Sequence, residues 1–112
     1  MYATTKPEIL RSKGNVFNGT LPAKNTDLLT TSITTSEPVS YLNIYVVLSI
    51  DGVFSVKRTR GAVTVSEKMN SGIALTDGCG YAFTIPIRSD DTINFTSAVT
   101  GGTYNLIVEE AI

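Results

Sequence analysis

The sequence predicts an all-β protein: an antiparallel β-sandwich of seven or eight strands, arranged like a single jelly roll, behind an extended N-terminal arm. Three observations carry that prediction. Apolar residues recur at every second position in run after run, the period of a half-buried strand. Clusters of Gly, Asn, Asp, Ser and Pro separate the runs at regular spacing. No segment carries a helical period, and the βα alternation that builds a parallel sheet is absent.

The chain divides into an arm, residues 1–24, and a body, residues 25–112. Pro7, Gly14, Gly19 and Pro22 interrupt the arm, and its large apolar residues Ile9, Leu10, Val16, Phe17 and Leu21 follow no period. Such a segment is mobile unless the body or a neighbouring molecule holds it. Charge divides the same way. The arm has Lys6, Arg11, Lys13 and Lys24 against Glu8, four minus one or +3; the body has five Lys/Arg against nine Asp/Glu, or −4.

The body begins with Leu29, Thr31, Ile33 and Thr35 at period two over 27–35, ended by Ser36-Glu37-Pro38. Residues 39–50 form the longest strand. Asp51-Gly52 is a hairpin signal, with 53–60 as the return strand. Gly61 punctuates, and 62–68 follows with Val63 and Val65 in phase. After Asn70-Ser71-Gly72 come a short strand at 73–75 and a loop, Thr76 to Gly80. Residues 81–88 place Tyr81, Phe83, Ile85 and Ile87 on one face, and Pro86, which cannot donate to a ladder, assigns this strand to an edge or a bulge. Ser89-Asp90-Asp91 turns the chain. Residues 92–97 point Ile93 and Phe95 inward, Gly101-Gly102 turns again, and 103–110 closes with Tyr104, Leu106 and Val108 in register.

A three-residue loop at Asp51-Gly52 with a G1 bulge would set Leu48 against Phe54, Val46 against Val56 and Ile44 against Arg58, gathering the large apolar groups on one face. Arg58 on that face calls for a buried acid as partner. The opposite face carries Tyr41, Tyr45, Val47 and Val53 beside Ser49, Ser55 and Lys57. That mixture suits a subunit or partner contact, where Tyr is enriched, or a surface on which the arm lies. With Phe17 and Leu21 of the arm, Tyr41, Tyr45, Val47 and Val53 are the candidate interface residues.

Composition argues against catalysis. His is absent, which removes the commonest general base and metal ligand together. Cys79 is the single cysteine, so no disulfide forms within the chain, and no His stands ready to activate its thiol. Asp77, Asp90 and Asp91 lie in loops but lack calcium-loop spacing, and turns favour Asp in any case. Glu109-Glu110 point to opposite faces and read as solvated charge. Lys57-Arg58-Thr59-Arg60 is likewise split between faces, and a net charge of −1 gives no pull toward nucleic acid. The longest apolar run is far short of the ~20 residues that span a bilayer. The N-terminus has no apolar signal segment. No cofactor, metal, nucleic acid or membrane is expected, and the protein is expected not to be an enzyme. Asn18-Gly19-Thr20 and Asn94-Phe95-Thr96 match the glycosylation triplet.

Several stretches together resemble small β-sandwich proteins on the surface of tailed-phage and archaeal-virus particles, the head decoration, turret and spike proteins. They are Asn25-Thr26-Asp27-Leu28-Leu29, the run from Tyr41 to Ser49 with Asp51-Gly52, Phe83-Thr84-Ile85-Pro86-Ile87, and Asp91-Thr92-Ile93-Asn94-Phe95. The resemblance implies a jelly-roll-like virion structural protein that is assembled in the host cytoplasm. It would be a homo-oligomer, a trimer above all, docked on the major capsid protein or other virion proteins without cofactor or active site. The competing expectation is a carbohydrate- or receptor-binding module, whose sugar platform would have to be Tyr or Phe because Trp is absent.

Overall fold

The alternation resolves into two stacked antiparallel sheets in the computed structural model, which describes residues 15–111. The strands are β1 Asn15–Thr20, β2 Val39–Leu48, β3 Phe54–Arg60, β4 Val63–Lys68, β5 Tyr81–Arg88, β6 Asp91–Ser97 and β7 Thr103–Ala111. One sheet has the order β1-β7-β2-β5 and the other β4-β3-β6. Residues 25–33 lie along the free side of β6. The amides of Asn25, Leu28 and Ile33 donate to the carbonyls of Ser97, Phe95 and Ile93 at 2.8 Å each. If that segment is counted as the second strand, the sheets interleave as two Greek keys in jelly-roll order.

The inward faces are those that period two predicts. Leu42, Ile44, Val46 and Leu48 of β2, Ile85 and Ile87 of β5, and Tyr104, Leu106 and Val108 of β7 are buried. They meet Phe54, Val56, Ile93 and Phe95 of the other sheet, with the Phe54 and Phe95 rings 5.6 Å apart. Each fully buried side chain of this kind contributes about 1.5–3 kcal/mol.

Three expectations need correction. First, β2 and β3 do not form a hairpin: β2 pairs with β5 and β7, and β3 with β4 and β6. Side by side, their apolar faces would leave a core open on one side; in opposite sheets they cover each other. Gly52 serves packing rather than a bulge. It bridges to Leu75, and a Cβ there would come within 2.3 Å of Val99. Second, the described arm is no loose extension: residues 15–21 are held by the body, one of the two holders expected. Residues 15–20 pair with β7, and Leu21 is buried with its amide on the Gly102 carbonyl. The free ladder of β7 accepts a strand, and Phe17 and Leu21 gain the core by supplying it. Residues 1–14 lie outside the described residues. Third, 27–35 is no regular strand. It makes a single bridge, Ile33 to Ile93, and buries Leu29, Ile33 and Thr35 while leaving Thr31 exposed.

Candidate functional site: the outer face of the four-stranded sheet

The strand register builds this surface. Outward side chains of β1, β7, β2 and β5 form rows across the sheet, and partners in a row are neighbours on the same face. One row reads Val16, Ile107, Tyr45, Ala82. A second reads Ala111, Tyr41, Pro86. Between them Glu109, Asn43 and Thr84 form a polar row, in which the Thr84 hydroxyl donates to Asn43 Oδ1 at 2.9 Å. Tyr41 is 50 % exposed, Tyr45 43 %, Ile107 39 % and Val16 71 %. Two tyrosine rings and a set of aliphatic groups therefore stand on a pleated face, with amide, hydroxyl and carboxylate groups between them.

Of the six predicted interface residues, Tyr41, Tyr45 and Val47 come together here on β2. The other three do not. Val53 lies in the crossing between the sheets, half-buried, its carbonyl accepting from the Ala98 amide at 3.0 Å. Phe17 faces inward against the core, and Leu21 is part of it. Sequence reasoning missed Val16 and Ile107. The signal for Ile107 was visible: with Tyr104, Leu106 and Val108 inward, it is a large apolar residue on the face reserved for polar ones. Val16 became legible only once β1 was placed in the sheet.

Two of the acidic groups, Asp91 and Glu110, have structural employment. Asp91 is buried, and both its oxygens are used. Arg60 donates to it through Nε at 2.6 Å and Nη2 at 3.0 Å, Arg58 through Nη1 at 2.7 Å, and the Arg88 amide at 2.9 Å. The hydrogen bond from Arg60 is the main cause that holds its carboxyl far below the usual carboxylate range; burial opposes it, and the Arg88 amide and Arg58 add to it. Arg58 also donates to the Pro86 carbonyl, so the cluster ties β3 and β6 to β5 of the facing sheet. Arg58 thus has the buried acid its face called for. Glu110 corrects the reading as plain solvated charge: it is half-buried and accepts from Ser40 at 2.5 Å and from Thr35. Glu109 does point to the opposite face, toward Asn43.

Asn94 has no room for a glycan. It is 3 % exposed, and its amide closes on the Leu29 backbone from both sides: Oδ1 accepts from the Leu29 amide at 3.1 Å and Nδ2 donates to the Leu29 carbonyl at 3.0 Å. That side chain acts as the missing strand partner for residues 25–33. Asn18, on the edge strand β1, is exposed. Cys79 is exposed in its loop.

No family model matches the chain, and no curated protein matches it. Among solved structures, one described as "CBM4 structure and function" is similar at 13 % identity and a TM-score of 0.42, over 92 % of this chain and 85 % of that one. A superposition that loose adds nothing to the fold read from the strands themselves.

Proposed function

We propose that this chain is a non-enzymatic structural protein of a virus particle, docked on the capsid surface through the outer face of its four-stranded sheet. One observation carries the reading: the face built on β2 and β7 exposes Val16, Ile107 and Tyr45 in one row and Tyr41 across a polar row from them, where a solvent-facing sheet ordinarily carries polar groups alone. The viral setting comes from the sequence resemblance. The rigid sandwich beneath holds the two tyrosines in place, so a partner that buries them immobilises few extra rotors. Aromatic residues with the polar row between them suit the centre of a protein interface.

Co-sedimentation tests the proposal. The purified protein is mixed with capsids of the virus whose genome carries its gene, and the wild type is expected to pellet with them. The double variant Tyr41→Ser, Tyr45→Ser, with an unchanged circular dichroism spectrum, should bind roughly ten-fold or more weakly. A wild type that stays in the supernatant would sink the docking proposal.

The same face favours one second reading, a carbohydrate-binding module. Tyr41 and Tyr45 flank Asn43 on one strand, so two exposed tyrosines and hydrogen-bonding side chains share one face, the combination a sugar chain needs. Saturable binding on a glycan array, lost in the same double variant, would put this reading ahead of the first.

A further inference from the structure

A second surface of the molecule is unlike the first. β4 is an edge strand, exposed along its whole length, and among the described residues nothing pairs with its outer side. Two of the other three edges are treated differently: β6 is covered by residues 25–33, and β5 carries Pro86, while the outer side of β1 is, like that of β4, unpaired among the described residues. Edge strands invite pairing unless they are blunted in such ways. The side chains of β4 reinforce the point. Val65 lies in one cross-strand row with Arg58 and Ile93, and Val63 in one with Arg60, so both valines stand on the core-facing side of the sheet. Yet Val63 is 63 % exposed and Val65 55 %, because the facing sheet does not reach over them. Together with Arg58 and Arg60 they line an apolar groove of about 270 Å³.

We propose that the occupant of this edge is a second copy of the chain, joined by antiparallel β4–β4 pairing about a two-fold axis at Val65. Backbone geometry fits that register. Arg60 and Val63 flank the two-residue turn Gly61-Ala62, with Gly61 at φ 61°, and such flanking residues exchange hydrogen bonds. Alternation then aims the N–H and C=O groups of Thr64 and Ser66 at the free side. In the Val65-centred register, Thr64 of one copy meets Ser66 of the other, and the reverse, so four ladder hydrogen bonds form. Side chains on the groove side match as well. The two Val65 residues touch across the axis. Glu67 of each copy enters the row holding Val63 and Arg60 of the other, setting acid toward base across a covered valine. The two three-stranded sheets become one sheet of six, and a valine-lined edge is removed from water. This contact goes beyond the docking proposal, since it uses the other sheet and requires no capsid. It is also two-fold, where the viral resemblance implies three-fold symmetry.

A cross-link tests it. Residues opposed at a non-hydrogen-bonded position have Cα atoms about 4.5 Å apart, within disulfide range. The variant Val65→Cys, Cys79→Ser should form a covalent dimer on mild oxidation at least about ten-fold faster than Ile73→Cys, Cys79→Ser, whose thiol is exposed off the edge. In the otherwise native chain, Val65→Lys places two ammonium groups at the axis, and native mass spectrometry should show a dimer converted to monomer with the circular dichroism spectrum kept. Equal oxidation rates, a monomeric wild type at about 100 μM, or any oligomer that survives Val65→Lys would overturn the proposal.

Discussion

β2 and β4 carry the same sequence pattern and meet opposite fates. In β2, Ile44 and Val46 take one face of an alternating strand and are completely buried; in β4, Val63 and Val65 do the same and stay more than half exposed. The difference lies outside both strands. β2 is central in its sheet, between β7 and β5, with Phe54, Val56 and Phe95 packed against it from the facing sheet. β4 is an edge strand that runs out past the facing sheet. Alternation decides which side chains share a face, and the opposite layer decides whether that face becomes core.

The sharpest way to break the comparison is truncation on each side of it. Leu48→Ala on β2 removes a side chain with no exposure and should cost about 3–4 kcal/mol, while Val65→Ala on β4, measured in protein dilute enough to be monomeric, should cost less than about 0.5 kcal/mol. Chemical denaturation measures both, and equal losses would show that β4 packs as core. The next effect concerns Asp91, which ties the two layers together beside the exposed valines. Asp91→Asn should cost about 2–3 kcal/mol at neutral pH, at the low end for a broken buried pair because Arg58 and Arg60 retain access to water. The sign of the pH dependence follows from the lowered carboxyl. Its contribution is complete above the unfolded-state value of about 4 and fades as pH falls below that toward the folded value. The stability gap between wild type and Asp91→Asn should therefore narrow below about pH 4; a gap that stays constant down to strong acid would refute the assignment. Asn94→Ala comes third. It frees both polar groups of the Leu29 backbone and should cost about 2 kcal/mol, with faster amide exchange confined to residues 25–33. Unchanged exchange there would show that Asn94 is not what seats that segment on β6.

Much of this architecture was legible in advance. The inward sets of β2, β5, β6 and β7 follow from period two, Pro86 does sit on an edge strand, and Arg58 has a buried acid to pair with. What misled was local turn chemistry. Asp51-Gly52 is a good hairpin signal, yet glycine at 52 answers to the close approach of Val99, a contact 47 positions along the chain that no local pattern reveals. Residues 27–35 alternate well enough for a strand, but the Asn94 side chain pairs with Leu29 where a backbone ladder was expected. On the candidate face, Tyr41, Tyr45 and Val47 were readable because they share a strand and a parity. Val16 was not, because its place depends on β1 joining a sheet whose other members lie at the far end of the chain.

The sequence by itself determined that the chain would be built of strands and which side of most strands would face inward, since both follow from the two-residue period of an extended backbone. Only the tertiary structure decided which strand lies beside which, and so which alternating faces are roofed over and which stay open. Pairing partners and sheet-to-sheet cover are contacts between residues remote in sequence, selected by the burial of the whole apolar set at once rather than by any local preference.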